Sequence, residues 1–435
     1  MKFAPTLAAV ALSFTAAAGV AQAQDAGLDT ATETVAFDAQ TAWDEYEQML
    51  RQVYAYVERD DIDVDAQFER SEAIAVQSTD AGQFRRIIHQ TALTFMDPHL
   101  IVGPFTNDDY AIIMTAADLD LSFVDGRAIV RDVRGNSPAF EAGIRPGDEA
   151  VTLDGVVAAH AALLPFGDVL PQPTAAQLDY GLTLAANGKR GSDRVIEVRS
   201  GEGAVRTVEL VSTLTYARSL SDRPLVTVEF VGAEQDVAVL RVLNSLGNND
   251  LITAFDAAVE QAHDARAIVL DLRETPSGGN TEVGRSIIGH FTQEVRPYQM
   301  HRIPVLEREF TVPRQFVEYV HPRQPFFDGP VFVLHGKWTG SMGEGIVIGM
   351  DAASDAVTIG SDMGDLLGGL WNRDLPTSGA RIDLGGESLF HVDGTPRADY
   401  VAQIPVTPID TATDGSDPGV PAALEALAAG SKSPN

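Results

Sequence analysis

Pro330-Val331-Phe332-Val333-Leu334-His335-Gly336-Lys337-Trp338-Thr339-Gly340-Ser341-Met342-Gly343-Glu344-Gly345 is the stretch on which the fold turns. The unbroken apolar run Val331–Leu334 is the mark of a strand buried on both faces. Helical character follows over 341–353, so Ser341 stands at a strand-to-helix corner with glycines on both sides that permit close backbone packing. A helix that begins there aims its unpaired N–H groups and the positive end of its dipole at whatever binds Ser341. Serine is also a common N-cap, so this stretch alone leaves a catalytic and a capping role open.

Working outward, the run Arg266–Arg273 repeats the buried-strand pattern and is followed by helical sequence over about 281–292. Val237–Val242 reads as a further strand and Leu251–Ala265 as an amphipathic helix. This alternation predicts an α/β crossover core over 225–410, with functional loops at the carboxyl ends of the strands. One such end is Asp271-Leu272-Arg273-Glu274-Thr275-Pro276-Ser277-Gly278-Gly279-Asn280, where a Gly-Gly turn lets main-chain N–H groups face a ligand.

Upstream, residues 110–215 change to short strands, expected at Ala128–Val133, Ala150–Leu153, Val195–Arg199 and Thr207–Leu210. Between them Ser137-Pro138-Ala139-Phe140-Glu141-Ala142-Gly143-Ile144-Arg145-Pro146-Gly147-Asp148 and Leu153-Asp154-Gly155 give a proline-started helical turn, a Pro-Gly turn and an Asp-Gly hairpin. The order and spacing resemble a PDZ domain. Such a domain takes a peptide C-terminus by strand addition, but the loop expected to hold the carboxylate, Ala116–Asp120, has no glycine, and Asp118 and Asp120 would repel it. A cap or hinge role over a neighbouring site is the competing expectation.

Residues 24–109 are expected to form an N-terminal helical domain, with apolar spacing from Trp43 to Val57 and a second helix over Gln83–Phe95 that Asp97-Pro98 ends. Residues 411–435 carry a closing helix and tail. Before all of these, Met1-Lys2, the apolar run Phe3–Val20 and Ala21-Gln22-Ala23 read as a secretory signal peptide spanning 1–23. Ala and Gly dilute the run, and no positive cluster follows it, so cleavage is expected rather than a membrane anchor. Export to a bacterial periplasm, or secretion, is the expected location, without stable membrane insertion.

The 435 residues carry 62 Asp+Glu against 31 Lys+Arg, a net charge of −31, which disfavours nucleic acid as a partner. Zero cysteines exclude disulfides, thiolate metal sites and cysteine nucleophiles. The nine histidines show no helical metal-ligand spacing. No metal or organic cofactor is implied.

The combination of D-L-R-x-x-x-x-G-G, a serine in S-x-x-E opening a helix about 60 residues later, and a PDZ-like segment upstream resembles the tail-specific (C-terminal processing) protease family. The superfamily also includes the tricorn core protease. The resemblance implies a multidomain α+β chain with a ClpP/crotonase-like catalytic core and peptide or unfolded-protein substrates. It implies Ser341 as nucleophile, and an oxyanion hole from the Met342 N–H with that of Gly278 or Gly279. The best-known branch uses a Ser–Lys dyad, but Leu366 stands where the lysine would be. The histidine that non-lysine members carry before the PDZ segment matches His99 in Met96-Asp97-Pro98-His99, which makes His99 the expected general base, near its ordinary pKa of ~6.5. Asp97, Glu344 and Asp399 are the candidates for an acid that orients it. Lys337 is an outside candidate for the base, and His89 reads as structural. Two rival readings are an α/β-hydrolase, for which His391 is the one histidine after Ser341, and a catalytically inactive scaffold of the same fold that binds peptide or lipid.

Overall fold

The computed structural model of the protein describes residues 37–110 and 117–430. The stretch read as a signal peptide, residues 24–36 and Ala116 lie outside them.

The expected crossover sheet is present. Its six strands run Ile404–Pro405, Val357–Gly360, Val331–His335, Ala267–Asp271, Val237–Val242 and Val226–Val231 in spatial order. The first five are mutually parallel, and Val226–Val231 is antiparallel to its neighbour. Every residue of Val331–His335 and Ala267–Asp271 is buried, as their continuous apolar sequence requires. Helices Asp250–Gln261, Thr281–Gly289 and Met342–Ala353 cover one face, and Gly419–Ala428 covers the other.

Part of the 225–410 block belongs elsewhere. Arg296–Arg302, Gln315–Val320, Gly369–Leu375 and Ala380–Phe390 leave the central sheet and form an antiparallel sheet with Ile101–Gly103. The N-terminal helices Ala39–Val53, Val64–Ala75 and Ala81–Leu93 pack on that sheet. Trp43, Tyr46, Phe68, Phe84 and Phe95 share one core with Leu375, Ala380, Ile382 and Leu384. The helical segment is thus no self-contained domain, because three short amphipathic helices need the sheet to cover their apolar stripes.

The third sheet contains Leu119–Val124, Arg127–Val133, Glu149–Leu153, Val156–Val157, Arg194–Arg199 and Val205–Leu210, with a core of its own. Helix Pro138–Glu141 starts at the proline of the sequence motif, and Ser137 caps it. A longer helix, Ala175–Asn187, lies along strand Leu119–Val124. Among the described residues no helix is long and apolar enough to cross a membrane.

Candidate active site

Three neighbouring parallel strands end on the same side and deliver the site. Ala267–Asp271 leads to Gly278-Gly279, Val331–His335 to Ser341, and Val357–Gly360 to Leu366-Leu367. The Asp271-Leu272-Arg273 segment anchors the first of these. Arg273 grips the buried Asp271 carboxylate (2.8 Å) and Ile409 carbonyl (2.7 Å), and reaches out to the exposed Asp417 (2.8 Å). Burial works against the Asp271 charge, yet Arg273 and Arg241 hold its carboxyl well below the usual carboxylate range.

Ser341 precedes helix Met342–Ala353 and has φ 56° and ψ −115°. The helix caps Asp38, Asp80, Ser137 and Asn280 all have extended backbone, with φ between −151° and −100°. Capping therefore does not account for the conformation of Ser341. A non-glycine residue in this region costs of order 1–3 kcal/mol and persists where its surroundings over-determine it. Glu344 supplies part of that support, since its Oε2 accepts the Ser341 N–H at 2.8 Å.

Gly278 is pressed against the serine. A Cβ at position 278 would lie 2.3 Å from the Ser341 Cβ and 2.6 Å from its Oγ. Gly279 meets a different neighbour: its Cβ would fall 1.9 Å from the Leu246 carbonyl carbon. Of the two glycines, one makes room for the serine and the other for the passing 246–247 backbone. Among the described residues, the N–H groups of Gly278, Gly279 and Met342 have no acceptor. Free N–H donors around a serine at a helix start are what a developing oxyanion needs.

His99 is buried and its Nδ1 faces the carbonyl oxygen of Leu367 at 3.1 Å. A carbonyl only accepts, so Nδ1 carries the proton and Nε2 of the neutral ring keeps its lone pair. Burial, helped by the nearby Arg397 guanidinium, lowers the His99 pKa to about 4. The expectation of an ordinary value near 6.5 is corrected accordingly. Asp97 also departs from its expected role. Its Oδ1 accepts the main-chain N–H of His99 at 2.8 Å and of Leu367 at 3.1 Å, and its Oδ2 accepts the Tyr54 hydroxyl at 2.8 Å. It ties two loops together instead of orienting the ring. Burial pushes its carboxyl up to about 6.

The Leu366-Leu367 dipeptide spends all four of its main-chain polar groups here. The Leu366 N–H reaches Glu344 Oε1 at 3.3 Å, and the Leu366 carbonyl accepts from Arg397. The Leu367 N–H goes to Asp97 and its carbonyl to His99. The position that carries lysine in Ser–Lys enzymes of the resembled family thus contributes backbone, while the Leu366 side chain packs with Leu93, Phe166 and Leu184. Gly368, with φ 78°, permits the turn that follows, where a Cβ would lie 2.3 Å from the Glu387 carbonyl oxygen.

The other candidates are distributed as follows. Glu344 is buried at 2% exposure, and burial raises its carboxyl to about 7 against the pull of Arg397 at 3.0 Å. It supports the serine backbone and makes no contact with the His99 ring. Asp399 is exposed on the short turn Arg397–Asp399. Lys337 pairs with Asp365 at 3.6 Å. His89 is held by the Tyr110 carbonyl at 2.9 Å. His391 sits between Asp351 and Asp393, and Asp351 lies ten residues along the helix from Ser341, roughly 15 Å away. That distance argues against the α/β-hydrolase arrangement.

Sequence reasoning missed Arg397, Tyr54 and the Leu366-Leu367 backbone. The Asp97-to-His99 main-chain bond had a signal, because aspartate regularly accepts the N–H two residues on. Arg397 had none beyond the need of a buried glutamate for a cation.

No family model and no curated protein sequence matches the chain. Solved structures do. Mature CPAF in complex with lactacystin aligns over 85% of this chain and 94% of its own, at 14% identity and a TM-score of 0.59. A candidate peptidase from Parabacteroides merdae aligns over 90% and 96%, at 13% identity and 0.54. The chain shares their fold. The photosystem II D1 C-terminal processing protease also aligns, over 86% and 94%, at 14% identity and 0.49.

A second place where a peptide could dock by main-chain bonds is the outer edge of strand Leu119–Val124. It is already occupied by side chains of helix Ala175–Asn187. Asp179 accepts the Phe123 N–H at 2.7 Å, Thr183 bonds both the N–H and the carbonyl of Leu121 at 3.0 Å, and Asn187 bonds the Asp118 N–H and the Leu119 carbonyl at 3.1 and 2.8 Å. Asp118 itself is buried in a fork with Arg194 at 2.7 and 3.0 Å. Its charge is neutralised internally, so charge repulsion of an incoming carboxylate by Asp118 is not what closes this edge.

Proposed function

We propose that the protein is a serine peptidase of the tail-specific, non-lysine kind that cleaves peptides or unfolded proteins through an acyl-enzyme on Ser341. The observation that carries this is the Ser341 backbone, strained in a way no cap requires, with Gly278 against it and free N–H donors beside it. The peptidase description of the Parabacteroides merdae neighbour agrees.

In this reading the peptide carbonyl oxygen lies between the Met342 N–H and an N–H of Gly278-Gly279, and its carbon faces Ser341 Oγ. His99 Nε2 takes the hydroxyl proton as Oγ bonds to the carbon. The tetrahedral oxyanion is stabilised by the two N–H groups. The C–N bond then breaks, and His99 returns the proton to the leaving amine. Water, deprotonated by the same imidazole, attacks the acyl-Ser341 ester, the bond to Oγ breaks as the imidazolium returns its proton to Oγ, and the new carboxyl terminus is released. The imidazolium formed in each step finds a main-chain carbonyl at Nδ1 where serine triads have a carboxylate. The small sheet, read as PDZ-like, acts as a fixed wall of the catalytic unit. Export through residues 1–23 fits a peptidase of misfolded or secreted chains.

Hydrolysis of fluorescently labelled unfolded casein by wild-type protein, and its loss in Ser341→Ala of equal thermal stability, is the expected result. Equal rates in both would overturn the assignment.

A further inference from the structure

Glu344 and the Leu366-Leu367 backbone meet at a residue remote in sequence from both. Arg397 lies on the turn after strand Ala380–Phe390, and only 6% of it is exposed. Its Nη2 bonds the Leu366 carbonyl and lies 3.0 Å from Glu344 Oε2. That same Oε2 accepts the Ser341 N–H at 2.8 Å, and the other oxygen accepts the Leu366 N–H at 3.3 Å. Leu367, the next residue, fixes the His99 ring through its carbonyl.

We propose that Arg397 is a positioning residue of the catalytic site, whose guanidinium clamps Glu344 to Leu366 and thereby holds the Ser341 backbone and the His99 imidazole in register. This rests on the Ser341–His99 reading above. A single guanidinium nitrogen, Nη2, donates to the Leu366 carbonyl and forms the ion pair with the Glu344 carboxylate, so one cationic group serves both. Without it, the buried Glu344 carboxylate loses its cation and the Leu366 carbonyl loses its donor, and Leu366, which Glu344 and Arg397 both hold, precedes the residue whose carbonyl sets the His99 tautomer.

The clamp also shapes the field at His99. Arg397 on its turn and Asp383 on strand Ala380–Phe390 are the charges that act on that ring, and behind them lie Asp97 in its own loop, with Tyr54 and Arg59 against it, Tyr56, and Glu344 beyond Leu366. Arg397 favours the neutral imidazole, while Asp383 opposes it.

The test uses full-length protein with Arg397→Met, which keeps the volume of the stem, and Arg397→Lys, which keeps the charge. The His99 imidazole nitrogens are followed by NMR against pH in a Ser341→Ala background, with His99→Ala for assignment. In parallel, kcat and KM are measured with Ser341 present. For Arg397→Met the expected results are a His99 titration raised by about one pH unit and kcat lowered roughly 10- to 100-fold with KM little changed. For Arg397→Lys they are a near wild-type titration and a partial recovery of kcat. An unchanged His99 titration and tautomer in Arg397→Met overturns the proposal, whether or not stability falls. A shifted titration in a protein whose wild type has no hydrolytic activity would uphold the clamp and sink the peptidase reading, so the two failures are separable.

Discussion

Two edges of this molecule offer main-chain polar groups to an extended peptide, and they differ in what has been done with them. At the Ser341 corner the N–H groups of Gly278, Gly279 and Met342 are left without acceptors among the described residues, while Glu344 takes up the N–H groups of Ser341 and Leu366 beside them. Along strand Leu119–Val124 the outer edge is closed by Asp179, Thr183 and Asn187, which repeat every four residues and so share one helix face. Of the three residues at the Ser341 corner, Met342 is buried, Gly278 half-buried and Gly279 exposed, and an unsatisfied donor costs about 1–3 kcal/mol where it is buried. The edge left open is the one that the peptidase reading gives to substrate.

The contrast is most exposed to failure at Ser341 itself. Ser341→Ala is expected to lower the hydrolysis rate by at least ~10³-fold. Ser341→Gly makes the sharper comparison: it removes the same hydroxyl but relieves the positive φ. It is expected to be as inactive and more stable, by up to roughly 1–3 kcal/mol in chemical denaturation. A Ser341→Gly protein less stable than wild type would mean that the conformation carries no strain.

Next come the two glycines. Gly278→Ala drives a methyl into Ser341 and should cost on the order of 10²-fold or more in kcat while most of the fold survives. Gly279→Ala meets the Leu246 backbone and should lower the melting temperature as well as the rate. If both variants lose stability and activity alike, Gly278 has no special relation to the serine.

The pH profile tests the histidine. A base must be unprotonated, and a folded-state pKa lowered to about 4 keeps Nε2 free through the mildly acidic range. The acid limb of kcat/KM is therefore expected near pH 4. An acid limb at about 6.5 would indicate an ordinary, solvated imidazole.

The smallest effects belong to the closed edge. Ser341→Ala protein, which leaves the small sheet unchanged, is expected not to bind peptide C-termini there in a titration. Thr183→Val should cost about 1–3 kcal/mol of stability by leaving the Leu121 N–H unmet. Micromolar binding of a C-terminal peptide that Arg194→Met abolishes would show that this edge opens.

Much of the fold could be read from residues whose environment is uniform. Val331–His335 and Ala267–Asp271 are buried on all sides, and their unbroken apolar runs say so. The corner at Ser341 announced itself through its flanking glycines. The antiparallel sheet did not, because Arg296–Arg302 and Gln315–Val320 mix charge and apolar side chains without clean alternation. His99 was singled out from its motif, but the group that holds its ring was not. That partner is a peptide carbonyl 268 residues away, and a main-chain group has no letter of its own in a sequence. The search for an orienting carboxylate among Asp97, Glu344 and Asp399 failed for that reason. Arg397 escaped likewise, as one arginine among many until Glu344 was seen to need it.

The most direct measurement is labelling of the purified protein by a fluorophosphonate, read by intact mass, beside Ser341→Ala and His99→Ala. Stoichiometric labelling of the wild type that is absent in Ser341→Ala and greatly slowed in His99→Ala is the predicted result. A folded wild-type protein that takes no label, or labelling indifferent to His99, would contradict an activated serine at this corner.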